Sequence, residues 1–276
     1  MKLPYQYRRH RAFTRLRAAI RQHTHLVLSF HSIGHSLVAD FLPHGLSCDK
    51  AFFEETLQLL HQETRVLPLC ELVESSSVRG VALTFDDGFR DTFTVAFPLL
   101  RQYKFPATLF AVTQSIDTTE LLPLHRYYFA QKHGGVFALP TDSPARRKQV
   151  EDFLRTRQLV VPPLGRELYL CREELQTMAE GGFEIGAHTC THPFLASLSE
   201  AEQRHEIITS KHQLEKWLGK SIESFAFPYG YGSSVNATTT DIVADHFRVA
   251  CLSGPPEPWQ HGPLWCARKN IMEFLY

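Results

Sequence analysis

The chain has 276 residues, 43% of them hydrophobic and 21% charged, which is the composition of a folded globular protein and excludes a disordered one. Its 29 basic and 29 acidic side chains cancel, so no global field points to nucleic acid or to an acidic partner. The length fits one large α/β barrel, and no apolar run approaches the roughly 18 to 20 residues needed to span a bilayer.

Residues 1–24 carry seven Lys or Arg and no acid. Phe13, Leu16 and Ile20 fall on one face of a helix, with Arg15, Arg17 and Arg21 around it. This pattern predicts a solvated helix packed on the domain or, alternatively, a peripheral contact with an anionic membrane surface. The arginines of FTRLRAAIRQ break any signal-peptide core. The six cysteines show no CxxC pair and read as free thiols of a reducing compartment. A cytoplasmic protein is expected, or one peripheral at the inner membrane face.

HLVLSF, residues 25–30, reads as a buried strand running into His31. Asp49 is placed to cap a helix over residues 50–62. VALTF (81–85) is the next strand, followed by a helix over residues 92–103 and the strand ATLFAV (107–112). Across residues 115–170, Pro123, Pro140, Pro144, Pro162 and Pro163 interrupt the rhythm, which predicts an insertion or lid. CREELQTMAEGG is a short helix stopped by Gly181 and Gly182, and FEIGA (183–187) is a strand ending at His188. Ser199 and Glu202 form a capping box for a helix to about Leu218. SFAF (224–227), a helix over 239–245 and FRVACL complete an alternation that predicts α/β architecture with largely parallel strands. Each polar residue of interest sits where an apolar strand gives out, and α/β folds build sites at the carboxyl ends of their strands.

Asp86 and Asp87 follow VALTF and precede Gly88. Consecutive strand side chains point to opposite faces, so both carboxylates serve one site only if the strand ends there and turns, as Gly88 permits. Two adjacent carboxylates repel, and one pKa rises unless a cation sits between them; the plainer reading is an exposed acidic turn. In GAHTCTHP, His188 and His192 stand four apart just past a strand. Two imidazoles so spaced can face one ion and, with a carboxylate, form an N2O ligand set with open positions for water. Among 15 histidines such a pair also arises by chance. Cys190, between them, is expected to point away, with a thiolate ligand as the alternative. In FAFPYG, Pro228 and Gly230 fix a tight turn that leaves the Tyr229 backbone N–H to point at a ligand, or serve as a plain connection. Taken alone, His31 reads as a satisfied strand-end histidine.

Together these residues resemble the polysaccharide deacetylases, the nodulation-deacetylase homology domain of carbohydrate esterase family 4. TFDDG is similar to the family's first motif, HTCTHP to its His-x-x-x-His second motif and FPYG to the end of its third, and the match runs from about residue 25 to the C-terminus. His31 looks like the branch of poly-N-acetylglucosamine deacetylases, where such a histidine acts as general acid in place of a C-terminal Leu-x-His motif that this sequence lacks. The resemblance implies an α/β fold, a distorted (β/α) barrel with mostly parallel strands. The barrel would occupy residues 25–276 after the basic segment 1–24, with the insertion at about 115–170. It further implies that Asp87, His188 and His192 bind a divalent metal, zinc being expected from the ligand set. Asp86 would be the general base, His31 the acid that protonates the departing amine, and the Tyr229 N–H a donor to the oxyanion. One position departs: where the third motif begins with an Arg that steadies the base, this chain has Ala226, and Arg268 in CARKNI is the expected stand-in from another strand.

The expected activity is metal-dependent removal of N-acetyl groups from amino sugars of a glycan or glycan precursor. One alternative is hydrolysis of a formyl group or small amide at the same site; another is a non-catalytic glycan-binding barrel, favoured only by the missing Arg. The expected partners are an N-acetylated glycan, oligosaccharide or lipid-linked sugar, with no nucleic acid and a peripheral membrane contact through the basic N-terminus.

Overall fold

The computed structural model describes residues 5–34, 45–75, 77–137, 143–254 and 264–275; Pro140 and residues 1–4 of the basic segment lie outside them. In chain order the elements begin with α1 (Tyr5–Gln22), β1 (His25–Phe30) and a short parallel pair, β2 (Ser32–Ile33) and β3 (Ser47–Cys48). There follow α2 (Lys50–Glu63), α3 (Leu69–Glu74), β4 (Gly80–Asp87), a π-helical turn over Thr92–Ala96, α4 (Phe97–Tyr103) and β5 (Thr108–Ala111). Next come α5 (Pro123–Lys132), α6 (Pro144–Thr156), α7 (Gly165–Leu168), α8 (Arg172–Glu180) and β6 (Glu184–Ala187). The last are α9 (Glu200–Leu218), β7 (Ser224–Ala226), α10 (Ala237–His246), β8 (Val249–Leu252) and β9 (Leu264–Asn270).

Seven strands close a barrel in the order β1-β4-β5-β6-β7-β8-β9. Every pairing is parallel, and β9 closes onto β1 with Val27 opposite Arg268. The period of two along each strand sorts the side chains into two layers. Val27, Ala82, Phe110, Ala226, Val249, Cys251 and Cys266 form the inner cluster. Their strand neighbours Leu26, Leu28, Phe30, Val81, Leu83, Phe85, Leu109, Ile185 and Phe225 pack outward against the helices. By the same alternation Thr84 and Asp86 on β4, and Arg268 on β9, fall on the inner face.

The caps read from the sequence are present. Asp49 accepts the Phe52 N–H at 2.8 Å, and Ser199 and Glu202 form their reciprocal capping box, each cap contributing about 1 kcal/mol. Two stretches differ from expectation. The helix expected over residues 92–103 opens as a π-helical turn before becoming α-helical at Phe97. Residues 115–170 hold three helices with their own hydrophobic cluster, including Phe89, Leu122, Phe129, Val150, Leu154 and Tyr169. Pro123 and Pro144 sit in the first turns of α5 and α6, where a missing N–H costs nothing; read as breakers, they were helix starts.

On α1, Leu16 and Ile20 are buried, and Phe13 lies 5.1 Å from the Phe52 ring of α2. Arg9 pairs with Glu55 and Arg17 with Glu63 on α2, so the helix's apolar face is covered. Among the described residues no helix is long and apolar enough to cross a membrane, and the six cysteines are free.

Gly186 on β6 allows the closest approach inside the barrel: a Cβ there would lie 2.5 Å from the Phe110 ring and 2.6 Å from Ser224 Oγ. Gly186→Ala is therefore expected to destabilise the chain by about 1–3 kcal/mol through overpacking, measured as a lowered urea midpoint. An unchanged midpoint would mean that the barrel interior has slack.

Candidate active site

The strand alternation explains Asp86 but not Asp87, which should point outward. Asp87 has φ 74° and Gly88 φ 84°, two consecutive left-handed residues that swing the chain and return the second carboxylate to the barrel mouth. Asp tolerates this region better than most side chains. Both carboxylates are 3% exposed. Arg268, also buried, reaches from the closing strand: its Nη1 donates to Asp86 Oδ1 at 2.6 Å and to Thr84 Oγ1 at 3.3 Å. The guanidinium expected to stand in for the one missing at Ala226 thus does contact Asp86.

His188 and His192 come from the loop after β6. Thr189 (φ 67°) and His192 (φ 57°) are both left-handed, so the four-residue spacing works through a folded loop and not a helix. Thr189 Oγ1 accepts the His192 N–H at 3.0 Å, and Glu206 on α9 accepts the Cys190 and Thr191 N–H groups at 2.9 Å each. Glu206 is a support that motif reasoning missed; nothing in its spacing announces it. His188 Nδ1 donates to the Ala226 carbonyl at 2.6 Å, which fixes its tautomer and leaves the Nε2 lone pair for the site.

His188 Nε2 lies 3.6 Å and His192 Nε2 3.5 Å from Asp87 Oδ1, a buried oxygen with no hydrogen-bond partner among the described residues. The three ligand atoms lie within 4.8 Å of one another. Tetrahedral zinc with bonds of about 2.0–2.1 Å needs its ligands roughly 3.3–3.5 Å apart, so this donor set fits a divalent cation. Cys190 is buried but directed toward α9, its thiol raised to about 12 by burial and by Glu206, and it does not join the cluster. His31 Nε2 lies 3.9 Å from Asp86 Oδ2. Tyr229, left-handed at φ 63°, places its ring 5.0 Å from that of His192.

The two aspartates are driven apart electrostatically. Burial raises the pKa of Asp86, but Arg268, His188 and His31 outweigh it and hold the group at about 2. Burial and the Asp86 charge, against weaker help from Arg268, push Asp87 up to about 8. Burial lowers His188 and His192, which keeps both rings neutral, as ligation requires. Burial also takes His31 down to about 4, with the Asp86 charge opposing it.

A sequence model of the family described as polysaccharide deacetylase matches residues 74–247. The chain belongs to the polysaccharide deacetylase family. It is 22% identical over 211 residues to YxkH of Bacillus subtilis (strain 168), a protein assigned only provisionally as a polysaccharide deacetylase, and covers 56% of that relative's length with 74% of its own. Among solved structures, the Streptococcus pyogenes deacetylase PplD, in complex with acetate, aligns with TM-score 0.60 at 21% identity, covering 89% of this chain and 91% of that one. IcaB from Ammonifex degensii aligns at 0.60 and 18% identity, covering 91% and 97%. A de-N-acetylase from Aggregatibacter actinomycetemcomitans aligns at 0.63 and 15%, covering 90% and 95%. At these identities the structural likeness supports the barrel fold of this deacetylase-family chain.

Because both imidazoles are already neutral, metal uptake displaces one proton, that of Asp87. Zinc affinity should therefore rise about tenfold per pH unit up to roughly pH 8 and flatten above it, measured by competition with a chromophoric chelator. His188→Ala and Asp87→Asn should abolish tight binding, while Cys190→Ser should leave it unchanged. A pH-independent affinity, or loss of binding in Cys190→Ser, would contradict the ligand assignment.

Proposed function

We propose that the chain is a metal-dependent hydrolase that removes N-acetyl groups from amino sugars of a glycan or glycan precursor. The observation that carries this reading is the convergence, at one barrel mouth, of the Asp87–His188–His192 donor set with the buried Asp86–Arg268 pair and His31. A binding barrel needs no such pairing of an ionised carboxylate with an imidazole 3.9 Å away.

Amide hydrolysis needs an activated water, a polarised carbonyl and a proton for the leaving nitrogen. A divalent cation on Asp87, His188 and His192, zinc by the ligand set, would supply Lewis acidity for the first two needs. Asp86 is the general base in this reading. Held ionised by Arg268, it is always free to take a proton, although so weakly basic a carboxylate accepts one only from a strongly acidified water. Water oxygen bonds to the acyl carbon, its proton passes to Asp86, and the carbon–nitrogen bond breaks. His31 is neutral at rest because burial outweighs the Asp86 charge; in this reading it takes up the proton passed to Asp86, 3.9 Å away, and delivers it to the departing amine nitrogen. The Tyr229 N–H, presented by its left-handed turn, donates to the oxyanion. Products are acetate and a free amino sugar.

The experiment is acetate release from N-acetylglucosamine oligomers by the purified chain, before and after chelation and zinc return. Release that requires metal and falls at least about a thousandfold in Asp86→Asn is expected. Formate release from N-formylated sugars without acetate release would move the activity to deformylation, and tight metal binding with neither activity would contradict the reading.

Arg268→Met provides a second test. Without the guanidinium, burial dominates at Asp86 and its pKa rises, so the acid limb of kcat/KM should move to higher pH by at least one unit. A profile that loses height without moving would show that Arg268 does not set the ionisation of Asp86.

A further inference from the structure

Two residues of the helical insertion sit against the Asp-Asp-Gly turn. Tyr169 forms an antiparallel bridge with Phe89, and the Leu170 N–H donates to the Gly88 carbonyl at 3.0 Å. His125, in the first turn of α5, is 1% exposed and lies tilted against the Phe89 ring, centroids 5.3 Å apart. Its Nδ1 is hydrogen-bonded to the Tyr169 hydroxyl, whose oxygen also accepts the Leu122 N–H at 3.2 Å. Its Nε2 is buried with no hydrogen-bond partner among the described residues.

Counting protons fixes the tautomer. The Tyr169 oxygen already accepts from Leu122, so the phenol proton needs an acceptor, and Nδ1 is the one it meets. The ring therefore carries its proton on Nε2. Burial, with a smaller contribution from His31, lowers His125 to about 3, and burial raises the Tyr169 phenol, so both stay neutral at physiological pH. The His125 ring interacts electrostatically with His31 and with His192. A neutral N–H donor is thus held, unpaired among the described residues, against Phe89, two residues past Asp87. Accepting the Tyr169 proton accounts for Nδ1 but not for Nε2, and a buried donor left unpaired is costly.

We propose that His125 is a substrate-contacting residue whose Nε2–H hydrogen-bonds an acceptor oxygen of the N-acylated sugar, with Tyr169 as the positioning residue that keeps it a donor. The insertion then takes part in substrate selection. This rests on the deacetylase reading above.

The test compares the wild type with His125→Phe, His125→Gln and Tyr169→Phe on N-acetylglucosamine oligomers, with zinc affinity and Tm measured alongside. His125→Phe should keep its zinc affinity, lower Tm because the buried Tyr169 hydroxyl loses its acceptor, and lose about tenfold in kcat/KM, mostly through KM. His125→Gln, whose amide restores an N–H near the Nε2 position, should recover most of that loss, and Tyr169→Phe should fall between. Nitrogen-15 spectra of the zinc-loaded wild type should show His125 protonated on Nε2, with a resonance that moves when oligomer is added. This readout decides the matter should His125→Phe fail to fold. Wild-type kinetics in His125→Phe, an unprotonated Nε2, or a resonance indifferent to oligomer would overturn the proposal. A wild type that releases no acetate would defeat the underlying function and this proposal with it, whereas an active wild type with an unaffected His125→Phe defeats this proposal alone.

Discussion

The contact on which the site depends is the buried ion pair between Asp86 and Arg268, residues 182 apart in sequence. Two neighbouring carboxylates inside a barrel repel each other, and desolvation penalises both. Arg268 breaks the symmetry by pairing with one. Asp86 then stays ionised, and the whole penalty falls on Asp87, which is the one that faces two imidazoles and can be relieved by a cation. A single guanidinium thus separates the two aspartates into one that carries charge and one whose proton a cation could replace. Buried pairs of this kind add little net stability, but removing one partner costs about 3–5 kcal/mol, so the pair is structurally binding once present.

Barrel closure is what delivers that arginine. Arg268 lies on the inner face of β9, and β9 reaches Asp86 only because it pairs with β1, which in turn pairs with β4. The same mouth gathers an unusual concentration of left-handed residues that are not glycine: Asp87, Thr189, His192 and Tyr229. Such positions cost on the order of 1–3 kcal/mol each and persist where surrounding structure over-determines them. Here the seven strands and the Glu206 carboxylate do so.

Much of this was legible in the sequence for identifiable reasons. Strands buried on both faces leave short apolar runs, and HLVLSF and VALTF marked β1 and β4 within two residues at each end. Side-chain caps are local, so Asp49 and the Ser199–Glu202 box needed no tertiary information. Arg268 was visible as a candidate because a missing charge at Ala226 required a replacement, but its contact with Asp86 depends on closure, which no local pattern encodes. The insertion helices were hidden because Pro123 and Pro144 act as breakers or as first-turn residues according to context. Glu206 and His125 were hidden because a lone acid on a long helix and one histidine among 15 carry no periodic signal; their partners, Thr191 and Tyr169, meet them only in the folded chain.

The most direct measurement is a titration of the metal-free chain carrying carbon-13 at its aspartate carboxyls. The account predicts two widely separated transitions, Asp86 near 2 and Asp87 near 8, with zinc moving the upper one down and leaving the lower in place. Both carboxyls titrating together near the ordinary aspartate value would contradict the division of labour between them.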